Sequence, residues 1–254
     1  MLHSPQVDSI VSDLVDRVRY ELGETRLYGI YLYGSLASSG FDEQRSDIDV
    51  LVAITIEVDI ADLHALETMH LKFARDCPGW RDRIDVQYVS IDALRHFKTR
   101  DSRIASISPG EPLHLIMAGR DWMQNWYDVQ ENGRTLCGPD RRTIVPPISA
   151  AEFRAAIRRY VRELLGRIQT HPGGRAYIVL TMCRALHSCE TGRQISKVAA
   201  AAWAQDRLPG WREIVSQALR IRGGEREESL EHAAEFVDQA DQFIRLVADR
   251  VLAD

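Results

Sequence analysis

The length, composition and charge of the chain are those of an ordinary globular protein. Its 254 residues, 45% of them hydrophobic and 27% charged, are enough for one large domain or two modest ones. The formal net charge of −5 argues against binding to nucleic-acid backbones. The sequence has no long apolar run and no signal-peptide pattern, which predicts a cytoplasmic protein with neither a nucleic-acid nor a membrane partner.

The N-terminal part of the sequence begins with a helix and two strands. Ser4 and Pro5 have the pattern of a helix start, and apolar residues then recur at helical spacing as far as Leu22. The apolar runs 27–33 and 50–54 each predict a strand.

The most informative stretch joins these two strands. The first run ends in Gly34 and Ser35, where backbone N–H groups and a hydroxyl can approach phosphate oxygens. Asp47 and Asp49 lead into the second run, and residues i and i+2 of a strand face the same side, about 6.6 Å apart. Two such carboxylates can share one Mg²⁺ or bracket two metal ions.

A third carboxylate, Asp85, lies in residues 83–89, which alternate like another half-buried strand. Aspartate and glycine are also ordinary turn residues. Carboxylates at the start of a buried strand lose hydration free energy unless a cation compensates their charge. This position therefore favours a metal site over an ordinary turn. The eight histidines show no zinc-ligand spacing, so the expected metal is a hard ion on oxygen ligands.

The middle of the sequence continues the alternation of helices and strands to about residue 100. Residues 59–76 predict a helix, and Ser90 is a plausible cap of another. Residues 101–112 contain repeated Ser, Pro and Gly, which predicts a linker or a mobile active-site loop. Residues 122–127 predict a helix with inward-packing aromatic side chains, with an aromatic wall for a substrate ring as the alternative.

After residue 145 the sequence pattern is helical. The expected fold is α+β, with an α/β domain that holds a small mixed sheet over 1–145 and an all-α helical bundle over 146–254. Helices are expected at 151–168, 175–190, 195–205, 211–221 and 226–252, with Ser149 as the first cap and a break at 171–174. Arg184 and Lys197 are the cations of interest here, although such residues on amphipathic helices more often face solvent.

Two blocks of residues carry a resemblance to a known family. The first block consists of Gly34, Ser35, Ser46, Asp47, Asp49 and Asp85. It resembles the core of the DNA polymerase β-like nucleotidyltransferase superfamily. The second block consists of 179–184, 191–192, Lys197, 202–204 and 207–209. It is similar to the helical domain of the streptomycin/spectinomycin adenylyltransferases, a branch of the aminoglycoside nucleotidyltransferases.

The resemblance implies a role for each of these residues. Asp47 and Asp49 would hold Mg²⁺ against the nucleotide phosphates, and Asp85 would be either a third metal ligand or the general base that acts on the attacking hydroxyl. The residues that contact the triphosphate would be Gly34, Ser35, Ser46, Arg184 and Lys197. ATP and Mg²⁺ are therefore the expected cofactors.

Three positions depart from the family pattern. The adenylyltransferases usually have Glu where this chain has Asp85, whose side chain is shorter by one carbon–carbon bond, about 1.5 Å. Streptomycin-modifying members carry an acidic residue where this chain has Gly174, and a Tyr near the nucleotide where it has Ile221. The resemblance therefore favours a spectinomycin-like acceptor over streptomycin.

The expected function is Mg²⁺-dependent transfer of AMP from ATP to a hydroxyl of a cationic aminoglycoside or aminocyclitol antibiotic, by an enzyme that acts as a monomer. Acidic residues that could attract such an acceptor, or that are ordinary surface acids, are Asp42, Glu43, Asp82 and Glu111. The alternatives are an enzyme that adenylylates a protein or another small metabolite, and a non-catalytic nucleotide sensor. The full helical domain argues against a protein acceptor, and the presence of all three carboxylates argues against a sensor.

Overall fold

The computed structural model describes residues 4–38, 40–168, 174–224 and 230–253. They fall into two compact units, Met1–Ile148 and Ser149–Asp254, called here the N-terminal unit and the helical unit. The sequence placed this division after residue 145. Within the described ranges, no helix is long and apolar enough to span a lipid bilayer.

Strands β1 to β6 of the N-terminal unit form one mixed sheet. They are β1 (Leu27–Tyr33), β2 (Ile48–Ile54), β3 (Ile84–Ser90), β4 (Ser102–Ser108), β5 (Glu111–Ala118) and β6 (Arg134–Cys137). Their order is β5-β4-β3-β2-β1-β6, in which β2 and β3 run parallel and the other neighbouring pairs are antiparallel. This mixed sheet, followed by a helical unit, confirms the predicted α+β fold class.

The helices of the N-terminal unit pack on both faces of the sheet. They are α1 (Pro5–Arg26), α2 (Gly34–Ala37), α3 (Ile60–Asp76), α4 (Ile91–His96), α5 (Met123–Asn132) and α6 (Arg141–Ile144), with 3₁₀ turns at Pro78–Trp80 and Arg120–Trp122. α1 and α3 pack on one face, where Val50, Val52 and Val86 are buried against them. Because side chains alternate along a strand, the residues between them, including Asp49 and Asp85, point to the opposite face. That opposite face is called the site face below.

Two predicted helix starts in this unit are confirmed. The Ser4 hydroxyl accepts a hydrogen bond from the backbone N–H of Val7, and the Ser90 hydroxyl accepts one from the N–H of Ala93. Each hydroxyl therefore satisfies an N–H group that the first turn of its helix leaves without a partner.

α5 covers part of the site face. It packs against β1, and its residues Trp126 and Tyr127 are buried, which confirms the inward packing predicted for this aromatic run. Asn125 of the same helix lies within hydrogen-bond distance of the Tyr33 hydroxyl at the end of β1. α5 therefore brings polar groups to the end of the sheet where the carboxylates lie.

The prediction that residues 101–112 form a linker or a mobile loop was wrong. They form β4 and the beginning of β5, an antiparallel hairpin that turns at Pro109 and Gly110. Ser102 and Ser106, which suggested a turning segment, are buried within the sheet. Strand pairing satisfies their backbone groups, so small polar residues are tolerated inside this strand.

The helical unit is arranged around one buried helix, α8. Its helices are α7 (Ala150–Ile168), α8 (Arg175–Thr191), α9 (Lys197–Arg207), α10 (Arg212–Arg222) and α11 (Leu230–Leu252), with a 3₁₀ turn at Pro209–Trp211. α8 contacts α7, α9, α10 and α11, and most of its residues are buried. Ser149 caps α7 as predicted, because its hydroxyl accepts the N–H of Glu152. The predicted break at 171–174 lies outside the described residues, except for Gly174.

Candidate active site

The register of two parallel strands places two carboxylates side by side. Asp49 of β2 is the direct neighbour of Asp85 of β3, and Tyr33 of β1 is the neighbour of Asp49 on its other side. All three residues lie on the site face, because the alternate residues of these strands are buried against α1 and α3. Tyr33, Asp49 and Asp85 therefore form a row across three adjacent strands.

A glycine allows the chain to turn tightly against this row. Gly34 follows β1 with a φ of +69°, and a Cβ at this position would overlap the carboxylate of Asp49. Its backbone N–H donates a hydrogen bond to Oδ2 of Asp128, 3.0 Å away, so this N–H has a partner inside the protein. Asp128 is itself buried in α5 and accepts a second hydrogen bond from Asn132. Ser35, half-buried, follows in the first turn of α2.

Ser46 and Asp47 lie at the start of β2. The buried Ser46 hydroxyl accepts the backbone N–H of Asp42 at 2.9 Å and closes the turn before the strand. Its carbonyl oxygen accepts a hydrogen bond from the Arg83 guanidinium at 2.6 Å. Asp47 is half-buried and immediately precedes β2, so the turn that Ser46 closes sets where this carboxylate enters the sheet.

Asp85 lies in a polar but strongly acidic environment. Its Oδ1 accepts hydrogen bonds from the Ser108 hydroxyl, 2.9 Å away, and from the side-chain amide of Gln87. Burial raises the pKa of Asp85, these two hydrogen bonds lower it, and the charges of Asp47 and Glu111 raise it again. The protein thus presents clustered negative charge here, which a cation would stabilise.

Tyr33 connects the row to α5. Its hydroxyl donates to Oε1 of Gln87 at 2.6 Å and accepts from Nδ2 of Asn125 at 3.5 Å. Burial, together with the charges of Asp85 and Asp49, raises the pKa of Tyr33 well above its ordinary value. The hydroxyl is therefore a neutral hydrogen-bond donor at physiological pH.

Sequence reasoning missed several polar residues of this site. They are Tyr33, Gln87, Ser108, Asn125 and Asp128. Two signals were available: Gln87 stands two residues after Asp85 in a mostly apolar strand, and Asp128 directly follows the aromatic residues Trp126 and Tyr127. Ser108 was assigned to the segment wrongly taken for a loop.

The donor set of this site suits a magnesium ion bound together with a nucleotide. Carboxylate oxygens are the ligands that Mg²⁺ prefers, and Mg²⁺ usually combines one or two carboxylates with substrate phosphates. The described part of the chain contains no group of three or more His, Cys, Asp or Glu side chains close enough to hold a metal ion by themselves. The carboxylates of Asp49 and Asp85, with Asp47 beside them, fit Mg²⁺ if phosphate oxygens complete its coordination.

Only two of the four candidate acceptor-attracting acids come together. Asp82 and Glu111 line a cavity of about 660 Å³ that lies between α3 and the β4–β5 hairpin. Asp42 instead accepts the backbone N–H of Gln44, and Glu43 accepts the hydroxyl of Ser4. Glu111 is also near enough to Asp85 to affect its pKa.

Arg184 and Lys197 both belong to the helical unit. Lys197 opens α9, and its Nζ lies 3.5 Å from the centroid of the Tyr177 ring on α8. Tyr177 and Arg184 are seven residues apart on α8, which is almost two helical turns, so they lie on one face. The two candidate triphosphate-binding cations therefore lie on one side of α8, about 10 Å apart along its axis.

The start of α8 has no acidic side chain at position 174, which is a glycine. Gly174 is the N-cap residue, exposed and with a φ of +79°. The next residue, Arg175, is buried and pairs with Asp241 of α11, with 2.6 Å between Nε and Oδ1. Ile221 is half-buried near the end of α10.

Comparison with known proteins finds relatives over nearly the whole chain. The family model for the C-terminal domain of aminoglycoside adenylyltransferases matches residues 143–247. An aminoglycoside (3'') (9) adenylyltransferase of Escherichia coli is 26% identical over 263 residues, which cover 97% of this chain and 95% of the relative. A spectinomycin 9-adenylyltransferase of Staphylococcus aureus is 24% identical over 208 residues, which cover 74% and 75% of the two chains.

A crystal structure has the same fold. It is that of a spectinomycin adenyltransferase from Enterococcus faecialis with ATP and spectinomycin, which aligns with a TM-score of 0.77 and 19% identity. The alignment covers 96% of this chain and 98% of the other. Both the mixed sheet and the helical unit are therefore shared.

We predict that Gly34→Ala disrupts the row. Both Gly34 and Gly110 have positive φ, but only at Gly34 does a Cβ meet another group, since nothing lies within 4 Å of a Cβ at Gly110. Gly34→Ala should therefore lower the free energy of unfolding by roughly 1–3 kcal/mol more than the control Gly110→Ala. Urea denaturation of both variants measures the difference. Equal losses would mean that the approach of Gly34 to Asp49 does not constrain the fold.

Proposed function

Because the chain belongs to the aminoglycoside adenylyltransferase family, we propose that it transfers AMP from ATP to a hydroxyl of an aminocyclitol or aminoglycoside antibiotic. Members of this family are nucleotidyltransferases, so the enzyme class follows from membership. The observation that carries the proposal is the alignment of Asp49 with Asp85 directly beside the Gly34 turn. Paired carboxylates suit a metal ion that binds together with a triphosphate.

The proposed reaction is an in-line displacement at the α-phosphorus of ATP. A bond forms between the acceptor oxygen and the α-phosphorus, the bond to the bridging oxygen breaks, and pyrophosphate leaves. Bound Mg²⁺ would neutralise phosphate charge, held by Asp47 and Asp49. Asp85 is either a further metal ligand or the group that takes the hydroxyl proton, and both roles require its carboxylate in a fixed orientation.

For each unit taken by itself, we propose residues that suit contact with a triphosphate. Ser35 and Ser46 lie at the two ends of the connection between β1 and β2, and Gly34 lets the chain pass close to Asp49. In the helical unit, Arg184 and Lys197 share one side of α8. Two cations on one side of a helix suit a polyanion, because charge-assisted hydrogen bonds to phosphate are among the stronger polar contacts.

The acidic surroundings of Asp85 support a cationic acceptor. The charges of Asp47 and Glu111 both act on Asp85, and the chain carries a net charge of −5. An acceptor with ammonium groups would be attracted to such a site, whereas a neutral sugar would gain nothing from it.

The first test is pyrophosphate release from ATP and Mg²⁺ across a panel of aminocyclitols and aminoglycosides. Wild type should turn over at least one of them, and Asp49→Asn should lower turnover by roughly 100-fold or more because the amide keeps the shape but loses the charge. Asp76→Asn is the control, since Asp76 pairs with Arg17 at the far end of α3. Near-normal turnover of Asp49→Asn at saturating Mg²⁺ would contradict the metal assignment.

The second test concerns the choice of acceptor. We predict a higher kcat/KM for spectinomycin than for streptomycin, because streptomycin carries guanidinium groups, Gly174 offers no carboxylate, and Arg175 already engages Asp241. Gly174→Asp should raise kcat/KM for streptomycin by about tenfold, the effect of one charged hydrogen bond.

Gly174→Asn is the matched control for this substitution. Asn tolerates positive φ as Asp does but brings no charge, so it should leave the ratio of kcat/KM for spectinomycin to kcat/KM for streptomycin unchanged. A wild-type preference for streptomycin, or equal effects of the two substitutions, would refute this account of acceptor choice.

A further inference from the structure

Gln87 is a buried polar residue in direct contact with Asp85. Its side chain is fully buried, with 0% exposure, on the same face of β3 as Asp85 two residues earlier. Its Nε2 donates to Oδ1 of Asp85, and its Oε1 accepts the Tyr33 hydroxyl proton at 2.6 Å. A buried amide satisfied at both ends is held more rigidly than one that faces water.

The hydrogen bonds around Gln87 run in one direction. Nδ2 of Asn125 donates to the Tyr33 oxygen, the Tyr33 hydroxyl donates to Oε1 of Gln87, and Nε2 of Gln87 donates to Asp85. If the amide were rotated by 180°, its carbonyl oxygen would face the carboxylate of Asp85, and two acceptors would be in contact. The Asp85 carboxylate therefore fixes which end of Gln87 faces it, and the Tyr33 hydroxyl donates to the other end.

The second donor to Asp85 reaches the same oxygen. Ser108, at the end of β4, donates its hydroxyl to Oδ1 at 2.9 Å. Two donors on Oδ1, from different strands, hold this oxygen in place and restrict the orientation of the carboxylate. The aspartate side chain has only two rotatable bonds, so little freedom remains once this oxygen is held.

We propose that Gln87 is a positioning residue for Asp85, and that the hydrogen bond from the Tyr33 hydroxyl holds Gln87 in place. The inference rests on the proposed function, in which Asp85 takes part in nucleotidyl transfer. Gln87 does not contact the substrate itself. It acts by holding the Asp85 carboxylate where an ion or an acceptor hydroxyl can meet it, and the loss of such a supporting contact lowers activity by about 10–100-fold in well-studied metal sites.

The kinetic test is a double-mutant cycle between Gln87→Met and Asp85→Asn. Methionine has a similar length and remains apolar in the buried site, but it cannot donate to Asp85. Gln87→Met should lower kcat by about tenfold or more and leave KM for ATP within about twofold. In the Asp85→Asn background it should have no further effect on kcat, because its effect passes through Asp85. Additive losses would overturn the proposal.

Gln130→Met is the matched control. Gln130 is also a buried glutamine of the N-terminal unit, and its amide joins the carbonyl of Val145 and the N–H of Ile148. Gln130→Met should lower thermal stability but leave kcat close to wild type. An equal loss of kcat in both methionine variants would show a general packing effect and overturn the proposal.

A spectroscopic test does not depend on activity. In protein labelled at the aspartate ¹³Cγ, the Asp85 resonance is identified by its absence in Asp85→Asn. We expect Gln87→Met and Tyr33→Phe to shift this resonance and Gln130→Met to leave it in place. An unchanged resonance in Gln87→Met would overturn the proposal. A shifted resonance in a protein that modifies no acceptor would instead show that the positioning is correct and that the proposed function fails.

Discussion

The candidate site depends on the parallel register of β2 and β3. This register sets Asp49 opposite Asp85 and directs both to the site face, while Val50 and Val86 pack against α1 and α3. A slip of one of these strands by one residue would turn its hydrophobic side chains toward the site and bury its carboxylate in the core. The free energy of burying the apolar side of these strands therefore fixes the position of the charged side.

This arrangement also explains why the site needs partners of positive charge. The Gly34 turn, the buried Asp128 and the row of Asp49 and Asp85 bring acidic groups together at the end of the sheet. Burial and like charge raise the pKa of Asp85, so its ionised form is costly while no cation is bound. The metal ion of a bound nucleotide and the ammonium groups of an acceptor would both lower the free energy of the ionised Asp85. The same electrostatic effect therefore favours both ligands.

The sequence predicted the local features of the site and missed its long-range ones. Gly34, Asp47 and Asp49 lie within one strand–turn–strand segment, so spacing and strand periodicity were sufficient to predict that they lie at one end of the sheet. Tyr33 and Gln87 are 54 positions apart in the sequence, and Tyr33 and Asn125 are 92 positions apart. No local pattern encodes contacts over such separations. The β4–β5 hairpin was missed because buried serines in a strand have the composition of a loop. Only the resemblance to a family indicated that Gly174 and Arg184 bear on function.

The central claim is that Asp47 and Asp49 bind a divalent ion together with ATP. Mn²⁺ can replace Mg²⁺ as a paramagnetic probe, and electron–nuclear double resonance then detects ¹³C-labelled aspartate carboxylates that coordinate it. The account predicts ¹³C coupling in the wild-type complex of Mn²⁺ with a non-hydrolysable ATP analogue, and a weaker signal in Asp49→Asn. A bound Mn²⁺–nucleotide complex without coupling to any aspartate would contradict it.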